Sequence, residues 1–253
     1  MKLMALILDV DGTLAETETT HLKAVNGAFE SMDLSWRWSR SLYRELLATA
    51  GGRARILRFL IENCPGENRE ALEDLAVRLH AEKDRRYRAS LEAGEIRLRP
   101  GAERLIGEAR SAGLALAVAT ATGRKNFEML LRHAGGPESS EWFDVVCTGG
   151  DAARHKPAPD IYLQVLAKLG LPAGACVAIE DSNLGVASAQ GAGLPVVVTE
   201  SSFTTGEDFV GAIAVLSDLG EPDQTMKVLR GTAFGKRLVD IELLRRWHQE
   251  ATK

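Results

Sequence analysis

The stretch LMALILDVDGTL, residues 3–14, decides the fold class. Its first six residues form an apolar run that is typical of a buried parallel strand, and Asp9, Asp11 and Gly12 follow at once. Open α/β sheets build their sites where the strands end. A glycine at this point permits a tight turn, which lets both carboxylates face one pocket. The segment therefore predicts a strand that leads directly into a functional site.

Later apolar runs extend this strand into a sheet. The predicted strands are residues 114–119, 145–147, 176–179 and 196–198, with 214–216 as a weaker sixth. Most are separated by helical stretches, residues 103–111, 160–169 and 182–190, and these stop at or just before glycines. Strands that alternate with helices indicate an α/β fold with a doubly wound parallel sheet.

One long stretch interrupts the alternation. Between about residues 18 and 95 no strand-like run occurs, and the helix-like segments are residues 20–32, 53–62 and 68–91. We interpret this stretch as an inserted all-helical domain. The predicted organisation is an α/β core of residues 1–16 and 96–253 and a helical domain of residues 17–95.

The C-terminal segment, residues 235–253, has Leu238, Ile241, Leu244 and Trp247 at helical spacing. Such an apolar face could dock on the core or on a second subunit. We favour the core, and we expect a monomer or a weak dimer.

Composition excludes several classes of protein. A chain of 253 residues can bury a core without disulfides, and Cys64, Cys147 and Cys176 are an odd number of widely spaced cysteines that we interpret as reduced packing residues. The apolar run at residues 3–8 is too short for a signal peptide or a membrane span. A net charge of −4 without blocks of like charge disfavours binding to nucleic acid or to an anionic membrane. We therefore expect a soluble cytoplasmic protein.

The two carboxylates after the first strand need a partner. Unpaired, Asp9 and Asp11 would repel each other and resist ionisation, so the pair favours a cation or a shared proton. Mg²⁺ fits, because it prefers oxygen ligands and commonly joins carboxylates to a substrate phosphate. The alternative is that both residues only cap a turn.

Three other strand ends carry polar residues. Thr120 follows the second predicted strand, where it could orient an anion or simply cap the next helix. Lys156 lies in HKPAPD, residues 155–160, and could neutralise a phosphoryl group or be an ordinary solvated lysine. Glu180 and Asp181 follow the fourth strand and bring the predicted site to four carboxylates, while Ser182 is more suited to capping the next helix.

Together, DVDGTL (residues 9–14), Thr120, Lys156-Pro157 and Asp181 resemble the haloacid dehalogenase superfamily of phosphohydrolases. The resemblance implies that Asp9 is a nucleophile that forms an aspartyl-phosphate, and that Asp11 is the acid and base. A covalent intermediate splits one slow step into two easier ones. A dehalogenase needs no acid at the second position, so Asp11 favours phosphoryl transfer.

The same resemblance assigns the rest of the centre. Thr120 and Lys156 would hold the transferring phosphoryl group. The Mg²⁺ ligands would be Asp9, the backbone carbonyl of Asp11 and the side chain of Asp181, and Glu180 would act indirectly by holding metal-bound water. An all-helical insert after the first strand is similar to the family's small cap domain, which closes over the site and selects the substrate.

Further stretches resemble the CbbY branch, the xylulose-1,5-bisphosphate phosphatases associated with Rubisco. They are residues 13–18 (TLAETE), His21, Asn26, Trp36, Tyr43, residues 51–53 (GGR), 94–96 (GEI), 98–101 (LRPG) and 116–120 (LAVAT). The resemblance implies a small phosphorylated sugar as the substrate. It weakens after about residue 200.

The branch resemblance also suggests substrate contacts. Glu18 and Tyr43 would contact the sugar, and Arg53, beside Gly52, would bind the phosphate that is not transferred. Arg55 or Arg124 could assist, Ala121 would lie beside Thr120 at the phosphoryl group, and His21 would lie at the hinge. Alternatively, Arg53 and Arg55 are solvated, Tyr43 is a packing residue and His21 is a surface residue.

The motifs and the family resemblance predict a Mg²⁺-dependent phosphatase, and the resemblance to the CbbY branch implies xylulose-1,5-bisphosphate as the favoured substrate. A phosphatase for phosphoglycolate or another small phosphate is an alternative. So is a sugar-phosphate mutase of the β-phosphoglucomutase kind, which shares these catalytic residues. A binding protein without turnover is disfavoured because the complete catalytic set is present.

Overall fold

The apolar runs pair into one seven-stranded sheet. The computed structural model describes residues 1–253. The strands are β1 (Ala5–Leu8), β2 (Ala115–Ala119), β3 (Val145–Cys147), β4 (Cys176–Glu180), β5 (Val196–Thr199), β6 (Ala214–Leu216) and β7 (Val228–Arg230). Their spatial order is β3-β2-β1-β4-β5-β6-β7, and all neighbours are parallel except β6 and β7. The predicted doubly wound α/β fold is confirmed.

The strand order places a functional site at the end of β1. From β1 the chain runs outward through β2 and β3 on one side, and it then crosses to β4, β5 and β6 on the other. Ligands of open α/β sheets bind at this change of direction, outside the carboxyl ends of the strands. Asp9 and Asp181 each follow one of the two central strands, β1 and β4.

Helices cover both faces of the sheet and form the insert. They are α1 (Glu18–Ser31), α2 (Arg40–Leu46), α3 (Gly52–Asn63), α4 (Arg69–Glu92), α5 (Ala102–Ser111), α6 (Arg124–Leu130), α7 (Asp160–Leu169), α8 (Asn183–Gly191) and α9 (Ile241–Ala251). Successive side chains of β1 point to opposite faces, so Leu6 and Leu8 join one buried cluster while Ala5 and Ile7 join another. A central strand buried on both faces explains why this run is continuously apolar.

Helices α1 to α4 lie between β1 and β2 and form the inserted helical domain, here called the cap. Its own apolar cluster is built around Phe29, Trp38 and Phe59, whose ring centroids lie 5.3 to 5.9 Å apart. Its two connections to the core run side by side, because Ala15 pairs with Leu98 in an antiparallel bridge. The predicted helical insert is therefore present, including α2, which the sequence pattern did not predict.

The C-terminal helix packs on the core, as predicted. Leu244 and Trp247 are buried in the cluster that contains Leu6, and the Trp247 indole donates a hydrogen bond to the carbonyl of Thr232 (2.7 Å). The expected helical position of Leu238 is wrong. α9 begins only after Asp240, whose carboxylate accepts a hydrogen bond from the backbone N–H of Leu243 (2.7 Å) and so caps the helix.

Two further features bear on the sequence predictions. All three cysteines are free thiols, and Cys147 and Cys176 are buried. Among the helices, none combines the length and the apolar character that crossing a membrane would require.

Candidate active site

Asp9 and Lys156 form the centre of the site. Asp9 directly extends β1, and its backbone N–H donates to the carbonyl of Ile179 in β4 (3.0 Å). The Lys156 ammonium lies 2.6 Å from the Asp9 carboxylate and 2.5 Å from the carboxylate of Glu180. Burial raises the pKa of Asp9, and the charge of Lys156 opposes that shift. The lysine therefore favours the ionised carboxylate, the form that can attack a phosphoryl group.

Asp181 reaches the same centre because Gly12 leaves room for it. Gly12 has φ 81°, and a Cβ atom at this position would lie 2.0 Å from Oδ2 of Asp181. The Asp181 side chain is almost fully buried. Burial, together with the charges of Asp9 and Glu180, raises the pKa of Asp181 well above its ordinary value. This carboxylate therefore needs a compensating positive charge to stay ionised.

The three buried carboxylates fit a hard divalent cation. Asp9, Glu180 and Asp181 offer oxygen atoms that all lie within 4.8 Å of one another. Oxygen is the ligand atom that Mg²⁺ prefers. A cation here would offset both burial and the mutual repulsion of the carboxylates, which together raise the pKa values of Asp9 and Asp181. The donor set therefore suits the metal that the sequence predicts.

Glu180 has less capacity for a metal than its neighbours. Its Oε1 accepts hydrogen bonds from Lys156 (2.5 Å) and from the Tyr162 hydroxyl (2.6 Å), and its Oε2 accepts one from the backbone N–H of Asp181 (3.2 Å). Gly185 lies against this carboxylate, where a Cβ atom would be 1.9 Å from Oε2. These contacts are compatible with the predicted indirect role of Glu180.

Asp11 is held on the side of the cap. One carboxylate oxygen accepts from the Thr17 hydroxyl (2.5 Å) and lies 3.3 Å from Nε2 of His21, and the other accepts from the Thr122 hydroxyl. Burial alone would raise the pKa of Asp11, but the hydrogen bond and charge of His21, together with the hydrogen bonds from Thr122 and Thr17, outweigh it and lower that pKa. The His21 ring stacks on Tyr87 with centroids 4.0 Å apart. Asp11 thus joins the core to the first helix of the cap.

Thr120 ends β2 at the same edge of the sheet. Its side chain is buried, and its hydroxyl accepts a hydrogen bond from the backbone N–H of Thr122 (3.1 Å). This bond bends the chain after β2, so that Thr120 and Ala121 both line the cavity above Asp9. The sequence prediction assigned no role at the site to Thr17 or Thr122, which hold Asp11.

A cavity of about 560 Å³ lies between the core and the cap. Of the predicted site residues, those that line it are Asp9, Asp11, Glu18, His21, Gly52, Arg53, Thr120, Ala121, Lys156 and Asp181. Arg55, suggested as a helper, lines it as well. Its volume suits a small metabolite.

The cap side of the cavity is rich in cations. Arg53 is exposed and forms no salt bridge within the protein, so its guanidinium is available to an anion. His80 and Lys83 also line the cavity, and a Cβ atom at Gly52 would lie 3.0 Å from Nε2 of His80 and 3.6 Å from the Lys83 ammonium. The sequence prediction missed both residues, although their spacing of three places them on one face of α4.

Two predicted substrate contacts do not reach the cavity surface. Tyr43 is buried, and its hydroxyl donates to the Glu18 carboxylate (2.5 Å) and accepts from Arg55 (3.0 Å), so it supports a lining residue. Arg124 points away, because its guanidinium donates to the carbonyl of Val146 (3.0 Å) and lies 3.4 Å from Asp151. The expectation that Tyr43 and Arg124 themselves contact substrate is not met by this geometry.

A profile of the haloacid dehalogenase-like hydrolases matches residues 3–193. The chain belongs to this family. It is therefore an enzyme, and the match spans all the strand ends that build the site. Among these hydrolases it lies in the CbbY branch, because it is 45% identical over 248 residues to a plasmid-encoded CbbY of Cupriavidus necator, with 97% of each chain covered. Its chemistry is that of a phosphatase.

Solved structures agree with this placement. The crystal structure of CbbY from Rhodobacter sphaeroides in complex with phosphate is 43% identical, has a TM-score of 0.79, and is matched over 85% of the present chain and 94% of its own. A variant of the same protein in complex with xylulose-(1,5)bisphosphate is 42% identical, with the same TM-score and the same coverage. The fold is thus shared with a protein that binds a sugar bisphosphate.

Proposed function

We propose that this hydrolase is a Mg²⁺-dependent phosphatase that removes one phosphate from a small sugar bisphosphate, with xylulose-1,5-bisphosphate as the favoured substrate and xylulose 5-phosphate as the product. The observation that carries the proposal is the cavity itself, with a nucleophile and lysine on its floor and Arg53, which forms no salt bridge, on its cap side. The complex of the Rhodobacter sphaeroides relative with this bisphosphate supports the choice of substrate.

The first half of the reaction transfers the phosphoryl group to the enzyme. A carboxylate oxygen of Asp9 forms a bond to phosphorus while the bond between phosphorus and the sugar oxygen breaks. Asp11 gives its proton to the departing sugar oxygen, which leaves as a hydroxyl. Asp11 must therefore be protonated in the substrate complex, and the negative charge of a phosphate bound between it and Asp9 would favour that proton over the ionised form that His21 stabilises in the free enzyme.

The second half returns the enzyme to its starting state. Asp11, now ionised, takes a proton from a water molecule whose oxygen attacks phosphorus, and the bond from phosphorus to Asp9 breaks. Thr17 and Thr122 hold the Asp11 carboxylate for this step. Inorganic phosphate is the second product.

The surrounding groups bind the phosphoryl oxygens. Lys156 and the hydroxyl and backbone of Thr120 would hold them, and Lys156 would keep Asp9 ionised and oriented. Asp9, Asp181 and the backbone carbonyl of Asp11 would hold Mg²⁺, which when bound neutralises the carboxylates and the phosphoryl oxygens. Glu180 would orient Lys156 and act on the metal through water.

The cap, which we propose to span residues 17–95, would select the substrate. Arg53 would bind the phosphate that is not transferred, with Lys83 as a second cation and the His80 imidazole beside them, because a second phosphate requires cations of its own. Glu18, held by Tyr43, would accept a hydrogen bond from a sugar hydroxyl. Closure of the cap would exclude bulk water from the aspartyl-phosphate until the sugar has left.

Phosphate release tests the proposal. The purified enzyme would be supplied with Mg²⁺ and, in separate assays, with xylulose-1,5-bisphosphate, ribulose-1,5-bisphosphate, phosphoglycolate and sugar monophosphates. We expect the highest kcat/KM for the first and no turnover by Asp9→Asn. Faster release from a monophosphate would overturn the assigned substrate, and a rearranged sugar phosphate without free phosphate would instead indicate a mutase.

Arg53 provides the sharper test of the bisphosphate. Arg53→Ala should raise KM for the bisphosphate by about 10-fold to 100-fold, because a charge-assisted contact contributes about 1.5–3 kcal/mol. It should change KM for a sugar monophosphate much less. Equal effects on both substrates would contradict a role in binding the second phosphate.

A further inference from the structure

The loop of residues 200–206 belongs to the core by sequence and to the cap by contact. It follows β5, yet the side chain of Phe203 is only 1% exposed and packs in the apolar cluster of the cap. Its ring meets that of Tyr43 edge to face, with centroids 5.5 Å apart. A core residue thus completes the packing of the domain that covers the site.

Two arginines of α2 hold the same loop from the outside. The Arg40 guanidinium lies 3.9 Å above the Phe203 ring and donates to the carbonyl of Ser202 (2.7 Å). Arg44, one helical turn later, donates to the carbonyl of Thr205. Both arginines are exposed. Helix α2 therefore contacts the loop at the buried Phe203 ring and through its own exposed Arg40 and Arg44.

The base of the loop is anchored beside the metal-binding carboxylates. Arg99 is largely buried and donates to the carbonyls of Glu200 (2.7 Å), Thr199 (3.1 Å) and Gly12. Ser201 is buried and lines the cavity next to Gly12, where a Cβ atom would lie 3.1 Å from its own. The base of the loop is thus fixed in the core while its tip is fixed in the cap.

We propose that Phe203 is a positioning residue that couples cap closure to recognition of the sugar. It holds Tyr43, whose hydroxyl donates to Glu18, and Glu18 faces the cavity above Asp9. With the ring in place, Glu18 is aligned over the substrate. Without it, α2 separates from the core, and Tyr43 and Glu18 lose their fixed position.

This role rests on the proposed function for its effect on turnover, but its structural part can be measured separately. Hydrogen–deuterium exchange of the α2 amides reports whether the helix is held. In Phe203→Ala we expect these amides to exchange about 10-fold faster or more, because the loop contacts that protect the helix are lost. Phe203→Leu should restore much of the protection. Arg37→Ala is the matched control, since Arg37 is exposed nearby and forms no hydrogen bond or salt bridge with the loop.

The kinetic part compares two phosphoryl donors. For xylulose-1,5-bisphosphate, Phe203→Ala should lower kcat/KM by about 30-fold, mainly through KM. For acetyl phosphate, which has no sugar for Glu18 to bind, the change should stay within about 3-fold. A merely structural defect would reduce both activities alike, and that outcome would overturn the positioning role.

Failure of the proposed function and failure of the loop contact give different results. If the wild-type enzyme does not hydrolyse the bisphosphate, the proposed function fails, whereas unchanged α2 exchange in Phe203→Ala overturns the loop contact whatever the activity. If circular dichroism shows that Phe203→Ala is unfolded, the double variant Arg40→Ala/Arg44→Ala decides. It removes two exposed side chains, and because Arg44 also lines the cavity, exchange of the α2 amides is the deciding measurement: wild-type exchange in that variant would contradict the proposal.

Discussion

The positions of two acidic side chains at the site depend on two glycines. Gly12 admits Asp181 and Gly185 admits Glu180, in each case into space that a Cβ atom would occupy. The acidic cluster is therefore determined as much by these glycines as by the carboxylates. The role of Gly12 as a turn was predictable from DVDGTL. Its close approach to Asp181 joins residues that lie far apart in the sequence, and no local pattern reports such a contact.

Gly12→Ala should lower turnover by about 100-fold or more, because the new methyl group displaces Asp181 and a displacement of about 1 Å at a catalytic centre has that effect. Phosphate release over a range of Mg²⁺ concentrations measures it. Gly66→Ala is the matched control: Gly66 also has positive φ (97°) but no atom within 4 Å of the added Cβ. If both variants lost activity equally, backbone strain alone would explain the loss in Gly12→Ala, and displacement of Asp181 would not be needed.

The hydroxyl of Thr122 should contribute directly to the rate through its hydrogen bond to Asp11. Thr122→Val keeps the shape of the side chain but removes the donor, so kcat should fall by about 10-fold or more, as expected for a lost hydrogen bond to a charged group. Thr122→Ser should restore most of the activity. Full activity of the valine variant, measured by steady-state phosphate release, would contradict this role.

At the scale of elements, the sequence predicts the buried parts of the fold best. The strands around β1 are continuously apolar, and their helices end at glycines, so both signals are strong. Helix α2 escaped prediction because only Tyr43 and Leu46 of its seven residues are buried. β7 escaped because all three of its residues are exposed. Short elements held by tertiary contacts leave little periodicity to detect.

The start of α9 offers a test of an element boundary. Asp240→Ala removes the capping carboxylate and should lower the free energy of unfolding by about 1 kcal/mol. Because Leu244 and Trp247 stay buried, the helix should remain docked. Chemical denaturation measures the loss. Glu242→Ala, an exposed change in the first turn of the same helix, should cost less, and an equal cost would argue against the cap.

At the scale of the whole molecule, the charges divide between two surfaces that meet at the cavity. The core lining has an acidic excess, with Asp9, Asp11 and Asp181 against Lys156, and the cap lining has a basic excess, with Arg53, Arg55 and Lys83 against Glu18 and Asp84. A phosphorylated sugar with a metal ion complements both surfaces. A near-neutral total charge conceals this division, so only the strand-end motifs, and not composition, could indicate the site from sequence.

The acidic side of this division predicts how the whole molecule responds to metal. The nearby cations do not fully compensate the buried carboxylates of Asp9 and Asp181, so Mg²⁺ should bind the native state and stabilise it. At 100 times its Kd, a ligand specific for the native state contributes about 2.7 kcal/mol, which corresponds to a rise in Tm of about 5 to 10 °C. Thermal unfolding with Mg²⁺ and with excess EDTA measures the shift. Asp181→Asn should abolish most of the rise, whereas Asp74→Asn, an exposed acidic residue of α4 outside the cavity, should retain it. A wild-type Tm that does not respond to Mg²⁺ would contradict the proposed metal site even if phosphate release were observed, because turnover would then be independent of a cation held by these carboxylates.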